Sequence, residues 1–280
     1  MKIFPANSHR VLAKLAFIFS ISALISLAPS ALANGPAPSS ATTSKSASRS
    51  TRHRYHRYRG TPTYVQDPGL GDDAQFDDPV VRQVALDALG KQNGSVVAVD
   101  PSDGRVLSIV NQRLAYSAGF EPCSTTKPVI AVAALEKGII NPDTMIRVGY
   151  RRYMDLTEAL AHSNNTYFEE LGRRLGFDTV WHYDHLFGLG ERAGFDISDE
   201  QPGVLPANPP RNGGVERMCS FGEGIRMTPL QLASIISTIA NGGTMYYLQY
   251  PQSQTEAQGF QPRVRRTLQI APLLPALRQG

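Results

Sequence analysis

No Asp or Glu occurs before Asp67. Nine of the 28 Lys and Arg residues fall in positions 1–59, which leaves 19 basic against 24 acidic residues and a net charge of −5 over residues 60–280. The formal +4 of the whole chain therefore belongs to its front end, and a nucleic-acid-binding core is excluded. Lysine is missing altogether after Lys137. Cysteine is limited to Cys123 and Cys219. These allow one disulfide in an oxidising compartment or two buried free thiols, and geometry rather than sequence decides between them. Histidine clusters are missing too. His182 and His185 stand three apart around Asp184 without further ligands nearby, so they read as a helix-surface pair and no metal is expected. There are no internal repeats, and after Leu27 no apolar run is long enough to span a bilayer.

What the front end does contain is an export signal, expected over residues 1–33. Lys2, Arg10 and Lys14 form a positive region, Leu15 to Leu27 is apolar, Pro29 breaks it, and Ala31-Leu32-Ala33 supplies an A-x-A cleavage site. The run is too short for a retained anchor, so the chain is expected to be exported, to the periplasm or the outer face of the cytoplasmic membrane. Residues 34–76 are expected to be a disordered basic linker. Pro, Ser, Thr and Ala dominate to Ser50, and Thr51 to Arg59 alternates cations with aromatics. Residues 45–59 either adhere to an anionic membrane or wall surface or act as a solvated spacer.

Residues 77–280 read as one domain. Asp78-Pro79 opens a helix with Val81, Val84, Ala85, Ala88 and Leu89 at helical spacing, stopped by Gly90. Gly94–Asp100 and Arg105–Val110 form a hairpin around Pro101-Ser102-Asp103-Gly104, apolar on both faces and so expected at the centre of a covered sheet. Asp155 caps a short helix that breaks at His162-Ser163-Asn164-Asn165. A new helix then buries Tyr167, Phe168, Leu171 and Leu175, and Asp178 opens another. Residues 188–220 are expected to be loop. Thr228-Pro229 with Gln231 spells a capping box before a helix that buries Leu232, Ile235, Ile236 and Ile239, and Thr244–Tyr250 is a possible strand.

The chemistry centres on Glu121-Pro122-Cys123-Ser124-Thr125-Thr126-Lys127-Pro128. Ser124 and Lys127 hold the only Ser-x-x-Lys spacing in the chain, at the start of an all-apolar helix, Val129 to Leu135. Three residues apart, the two side chains share one face. Beside a dry core the amine is driven toward its neutral form, and a neutral amine next to a hydroxyl makes a nucleophile and its base.

Ser163-Asn164-Asn165, the only Ser-x-Asn, falls in the helix break. Ser-x-x-Lys followed by Ser-x-Asn resembles the signature of penicillin-binding proteins and serine β-lactamases. The chain looks like a penicillin-binding protein transpeptidase domain from about Gly94 to Gly243. Gly94–Pro101 is similar to the family's first hairpin. Glu121–Pro128 matches its nucleophile motif, with Cys123 where Gly is usual. Ala161–Phe168 resembles the second motif, and Ser220–Gly224 with Met227–Ala233 the segment before the closing strands. The resemblance implies an α+β, β-lactamase/transpeptidase-like fold, an antiparallel sheet with a helical subdomain. It implies acyl transfer in cell-wall synthesis, with peptidoglycan stem peptides and β-lactams as partners and no cofactor. Ser124 would be the nucleophile, Lys127 its base, Ser163 the proton relay to the leaving amine, and Asn165 the ligand of the substrate amide. A serine β-lactamase and a non-catalytic wall-binding or β-lactam-sensing relative stand as alternatives.

One departure is large. The family's third motif, Lys-Ser/Thr-Gly on a strand edging the site, does not occur. The closing sheet strands are expected to be missing with it. Either the chain is a truncated reading of a longer gene, which the two intact motifs favour, or it is an inactive relative.

Overall fold

The computed structural model describes residues 63–280. The export signal at 1–33 and the basic segment at 45–59 lie outside the described residues. In chain order come α1 (Pro79–Leu89), β1 (Val96–Val99), β2 (Val106–Val110) and α2 (Gln112–Ala115), then a 3-10 turn over Cys123–Thr126 that runs into α3 (Lys127–Glu136). A second hairpin, β3 (Ile146–Gly149) and β4 (Arg152–Met154), precedes α4 (Leu156–Ala161), α5 (Asn165–Leu175) and α6 (Phe177–Leu186). Beyond a long loop lie α7 (Gly214–Phe221), α8 (Pro229–Ala240), β5 (Thr244–Tyr246), α9 (Gln254–Gln258), β6 (Val264–Thr267) and α10 (Leu274–Gln279). Among the described residues no helix is long and apolar enough to cross a membrane.

The α+β class is as expected, and the strands are antiparallel, but they form three separate two-stranded sheets among the described residues: β1 with β2, β3 with β4, and β5 with β6. The first hairpin is thus not central in a wide sheet. Its faces are covered instead by α1 and α8, and one edge is met by the chain at Gln249, whose carbonyl accepts from the Val106 N–H at 3.0 Å. That cover is what a lone hairpin needs to persist.

Local signals set the helix ends. The Asp78 side chain accepts from the Val80 and Val81 N–H groups ahead of Pro79, and Thr228 and Gln231 form the reciprocal capping box of α8. The buried face of α8 is shifted from the expected one. Leu230, Gln231, Ser234, Ile235 and Thr238 are buried, while Leu232, Ile236 and Ile239 are only partly covered, because α8 packs on the first hairpin and on β5. α7 lies in what the Gly- and Pro-rich sequence marks as loop. It starts after Gly213 at φ +83 with no side-chain cap, ends on the left-handed Gly222, and packs along α5.

α3 is the core. Val129 through Ala134 are wholly buried, enclosed by α5 and α6 among others. α5 and α7 cross closely at Gly172, where an added Cβ would stand 2.8 Å from Cys219 Sγ and 3.0 Å from the Val215 carbonyl. This contact decides the cysteine question. Cys219 is buried with its sulfur against α5, Cys123 is exposed, and both are free thiols, so the Cys123–Cys219 disulfide is not formed.

Residues ahead of 77 are bonded to the domain. The Asp72 carboxylate takes the Asn111 and Gln112 N–H groups at 2.9 and 2.8 Å and pairs with Arg82 at 3.0 Å. Asp77 binds Arg82, Ser108 Oγ and the Tyr250 hydroxyl at 2.8, 2.7 and 2.5 Å. Residues 63–76 are loop, but a docked loop.

Asp184 on α6 is fully buried, and neither of its carboxyl oxygens has a hydrogen-bond partner among the described residues. Burial raises its pKa to about 8. The unfolded chain ionises this group near the ordinary carboxylate value, so folding costs progressively more as pH rises from about 4 to about 8, after which the cost is constant. Asp184→Asn is therefore expected to match the native chain near pH 4 and to exceed its stability by on the order of 3–5 kcal/mol at pH 8. Denaturant unfolding across that range measures it, and a pH-independent difference would contradict it.

Candidate active site

Side chains three apart eclipse in a 3-10 helix, and the chain enters α3 through such a turn. Ser124 and Lys127 are thereby brought to one side, with Lys127 Nζ 2.9 Å from Ser124 Oγ. Lys127 is 2% exposed. The second motif arrives from the break between α4 and α5. The chain reverses at Ser163, which sits at φ +48, and the Asn164 side chain then caps α5 by accepting the Tyr167 N–H. The reversal aims three oxygens at the same amine. Nζ lies 2.8 Å from the Ser163 carbonyl, 2.9 Å from Ser163 Oγ and 2.7 Å from Asn165 Oδ1. All four residues singled out from the sequence thus meet at one nitrogen.

That nitrogen has four oxygen neighbours, and an ammonium has three N–H groups. The neutral amine fits differently. In that form two N–H groups would serve the Ser163 carbonyl and Asn165 Oδ1, which can only accept, and the lone pair would be left for one hydroxyl proton. Burial favours this form and lowers the Lys127 pKa to about 8, while the negative charge of Glu169 and the nearby Cys123 oppose the shift. The Phe168 ring, 5.5 Å from Nζ, forms part of the dry wall. The arrangement can accept a proton from Ser124 close to neutral pH.

The turn is braced from behind by α7. Gly222, at φ +71, ends that helix, and a Cβ there would stand 2.4 Å from Pro122 Cγ and 3.3 Å from Thr126 Cγ2. Ser220 Oγ, fully buried, lies 3.4 Å from Glu169 Oε1. The Met227 N–H donates to the Phe120 carbonyl at 3.1 Å and fixes the approach to the motif. Ser220 and Gly222 stand out in the sequence only as part of the segment that resembles the one before the closing strands, and Glu169 does not stand out. The available signal for Glu169 is its place four residues after Asn165, on the same face of α5. Cys123 adopts φ +52, a left-handed conformation that glycine takes freely and that accounts for Gly being usual there. His182 and His185 stay apart from this site on α6. His185 stacks on Trp181 at 5.1 Å, and its Nε2 is 3.5 Å from Glu191. Among the described residues no group of three potential metal ligands comes together.

The fold and the serine–lysine cluster set the chain in the class that keeps a serine hydroxyl beside a buried lysine amine. Within it the chain belongs to one family, matching the Penicillin binding protein transpeptidase domain over residues 94–272. It is 28% identical over 228 residues to penicillin-binding protein PbpB of Mycolicibacterium smegmatis, covering 69% of this chain and 35% of that protein. It is 31% identical over 186 residues to stage V sporulation protein D of Bacillus subtilis, covering 57% and 28%. Against peptidoglycan D,D-transpeptidase FtsI of Escherichia coli K12 it is 28% identical over 183 residues, covering 54% and 31%. The chain thus spans about a third of the length of the curated relatives it matches. Among solved structures, a chain of a peptidoglycan synthase complex superposes with a TM-score of 0.54 at 25% identity, covering 66% of this chain and 41% of that one. Pseudomonas aeruginosa PBP2 superposes with 0.57 at 22% identity, covering 68% and 56%, a likeness of fold.

Two substitutions probe the brace. Gly222→Ala combines a strained φ with a clash on Pro122 and is expected to lower stability by about 1–3 kcal/mol. Cys123→Gly relieves a left-handed residue and is expected to raise stability by about 1 kcal/mol. Thermal or denaturant unfolding of the two variants reads both signs.

Proposed function

We propose that this chain carries out peptidoglycan D,D-transpeptidase-type acyl transfer through a serine acyl-enzyme in cell-wall synthesis. The observation that carries the reading is the buried Lys127 amine, 2.9 Å from Ser124 Oγ and 2.9 Å from Ser163 Oγ. The relatives that bear the name peptidoglycan D,D-transpeptidase supply the reaction class.

Ser124 Oγ gives its proton to Lys127 and attacks the carbonyl carbon of the penultimate D-alanine of a stem peptide, or of a β-lactam. The tetrahedral species collapses as the C–N bond breaks, and the proton passes by way of Ser163 to the leaving amine. An acceptor amine then attacks the ester carbonyl, gives up a proton along the same route, and frees Ser124. The Ser124 N–H, at the start of the 3-10 turn and α3, is one donor to the developing oxyanion. Asn165 holds the substrate amide when it is not engaged by Lys127. Export through residues 1–33 would bring the chain to peptidoglycan outside the cytoplasm, with residues 45–59 resting on an anionic wall or lipid surface.

A second reading is a non-catalytic wall-binding or β-lactam-sensing relative. On that reading the chain takes up penicillin and does not complete cross-links. A serine β-lactamase is the third possibility.

Labelling with a fluorescent penicillin tests the proposal. The native chain is expected to be acylated, and Ser124→Ala to lose labelling by at least about 10³-fold. The acylation rate should climb as Lys127 loses its proton, with a midpoint near pH 8 and a plateau above it. Glu169→Gln removes a charge that favours the ammonium, so its midpoint should fall below the native one. A folded chain that does not label sinks the acylating site. Labelling without release of D-alanine from a stem peptide selects the second reading, and steady turnover of nitrocefin selects the lactamase.

A further inference from the structure

The β3–β4 hairpin is anchored from one side only. Ile146 and Met154, opposite each other in register, are 2% and 3% exposed and belong to the core around α3 and α5. Arg147, paired with Tyr153, faces away from that core, and Arg152 stands opposite Gly149. Tyr150 at the tip is 82% exposed and Tyr153 52%. Arg147, Arg151 and Arg152 are all exposed, and none pairs with an acid among the described residues. Their contacts are local. Arg147 Nε donates to the Gly149 carbonyl at 3.1 Å, and the Arg151 guanidinium lies 5.3 Å from the Tyr150 ring centroid.

Neither the residues nor the backbone of this tip suit a mere turn. A tight hairpin with a left-handed position favours Asn-Gly or Asp-Gly, and here Arg151 occupies φ +51 behind a solvent-facing tyrosine. Three guanidinium forks and two phenol rings sit within seven residues, on a domain whose residues 60–280 carry −5. Guanidinium forks match carboxylates bidentately, and exposed aromatic faces take the C–H faces of sugar rings. A bilayer asks for a broad basic plane, whereas this set is one narrow hairpin suited to discrete carboxylates along a polymer.

We propose that the β3–β4 hairpin is a second contact site for peptidoglycan. Stem-peptide carboxylates pair with Arg147, Arg151 and Arg152, and the glycan rests on Tyr150 and Tyr153. The inference rests on the peptidoglycan reading above. The placement suits it, because β3 packs on α5 and β4 leads through α4 to the Ser163 turn. A glycan strand held here stays on the α4–α5 side of the domain.

Co-sedimentation of the full 280-residue chain with purified sacculi is the test. The triple variant Arg147→Ser, Arg151→Ser, Arg152→Ser is expected to bind five- to tenfold more weakly than the native chain. Amidating the sacculus carboxylates should weaken the native chain by a larger factor than the variant, which keeps only the contact through residues 45–59. Thermal melting of each variant reports its fold, and the single Tyr150→Ser, at a site 82% exposed, supplies the same comparison if the triple variant melts early. Sacculus binding equal to native by folded variants overturns the proposal. So does a loss confined to anionic phospholipid vesicles, which would assign the hairpin to a lipid surface. Penicillin labelling of the same samples reads the acylating site separately, so failure of one reading is distinguishable from failure of the other.

Discussion

Burying one lysine amine is the constraint on which the rest of this structure depends. A charge taken out of water is costly unless it is paired or neutralised, and Lys127 is 2% exposed. The protein meets the cost with oxygens drawn from two separate pieces of chain, the 3-10 turn before α3 and the reversal between α4 and α5. Two of those oxygens are hydroxyls. The same contacts that make the burial tolerable therefore set a base beside a nucleophile, so the stability problem and the chemistry have one solution.

The geometry of that solution is held under strain. Cys123 and Ser163 both adopt left-handed backbone conformations that residues with a Cβ resist; the first precedes one hydroxyl-bearing residue and the second carries the other hydroxyl. The surroundings over-determine them. Pro122 and Thr126 bear on Gly222 from one side, and the Asn164 cap fixes the start of α5 on the other. The close crossing of α5 and α7 at Gly172 locks the two braces together. Glu169 and Ser220 lie at that junction, so the field felt by Lys127 depends on how α7 is seated.

What could be read from the sequence was what is local. Asp78-Pro79 and Thr228-Pro229-Gln231 announce helix starts because the capping groups lie within three residues of the N–H groups they serve. Ser124, Lys127, Ser163 and Asn165 stood out by spacing and by resemblance to a known family, and the structure gathers them at one nitrogen. What could not be read was what another segment decides. α7 opens on a glycine pair without a side-chain cap and packs along α5, and the buried face of α8 is set by the hairpin and β5 it meets. The Cys219 sulfur turns toward Gly172, a choice that no count of cysteines reveals. The first hairpin, apolar on both faces, was consistent with a central place in a sheet. It is covered by helices instead, and alternation in sequence cannot tell a strand neighbour from a helix.

The docking of residues 72–77 has a consequence for how the chain assembles. The Tyr250 hydroxyl binds the Asp73 carbonyl and the Asp77 carboxylate, 177 and 173 residues away in sequence, and the Gln249 carbonyl meets Val106. Contacts of such range close large loops and form late, after local helices have reduced the search. The first hairpin and its flanking loop therefore wait, in an unfinished state, for a part of the chain that is made 173 residues after Asp77. During that interval an open strand edge and two apolar faces are presented to the surroundings, and the opening third of the domain is its most aggregation-exposed part.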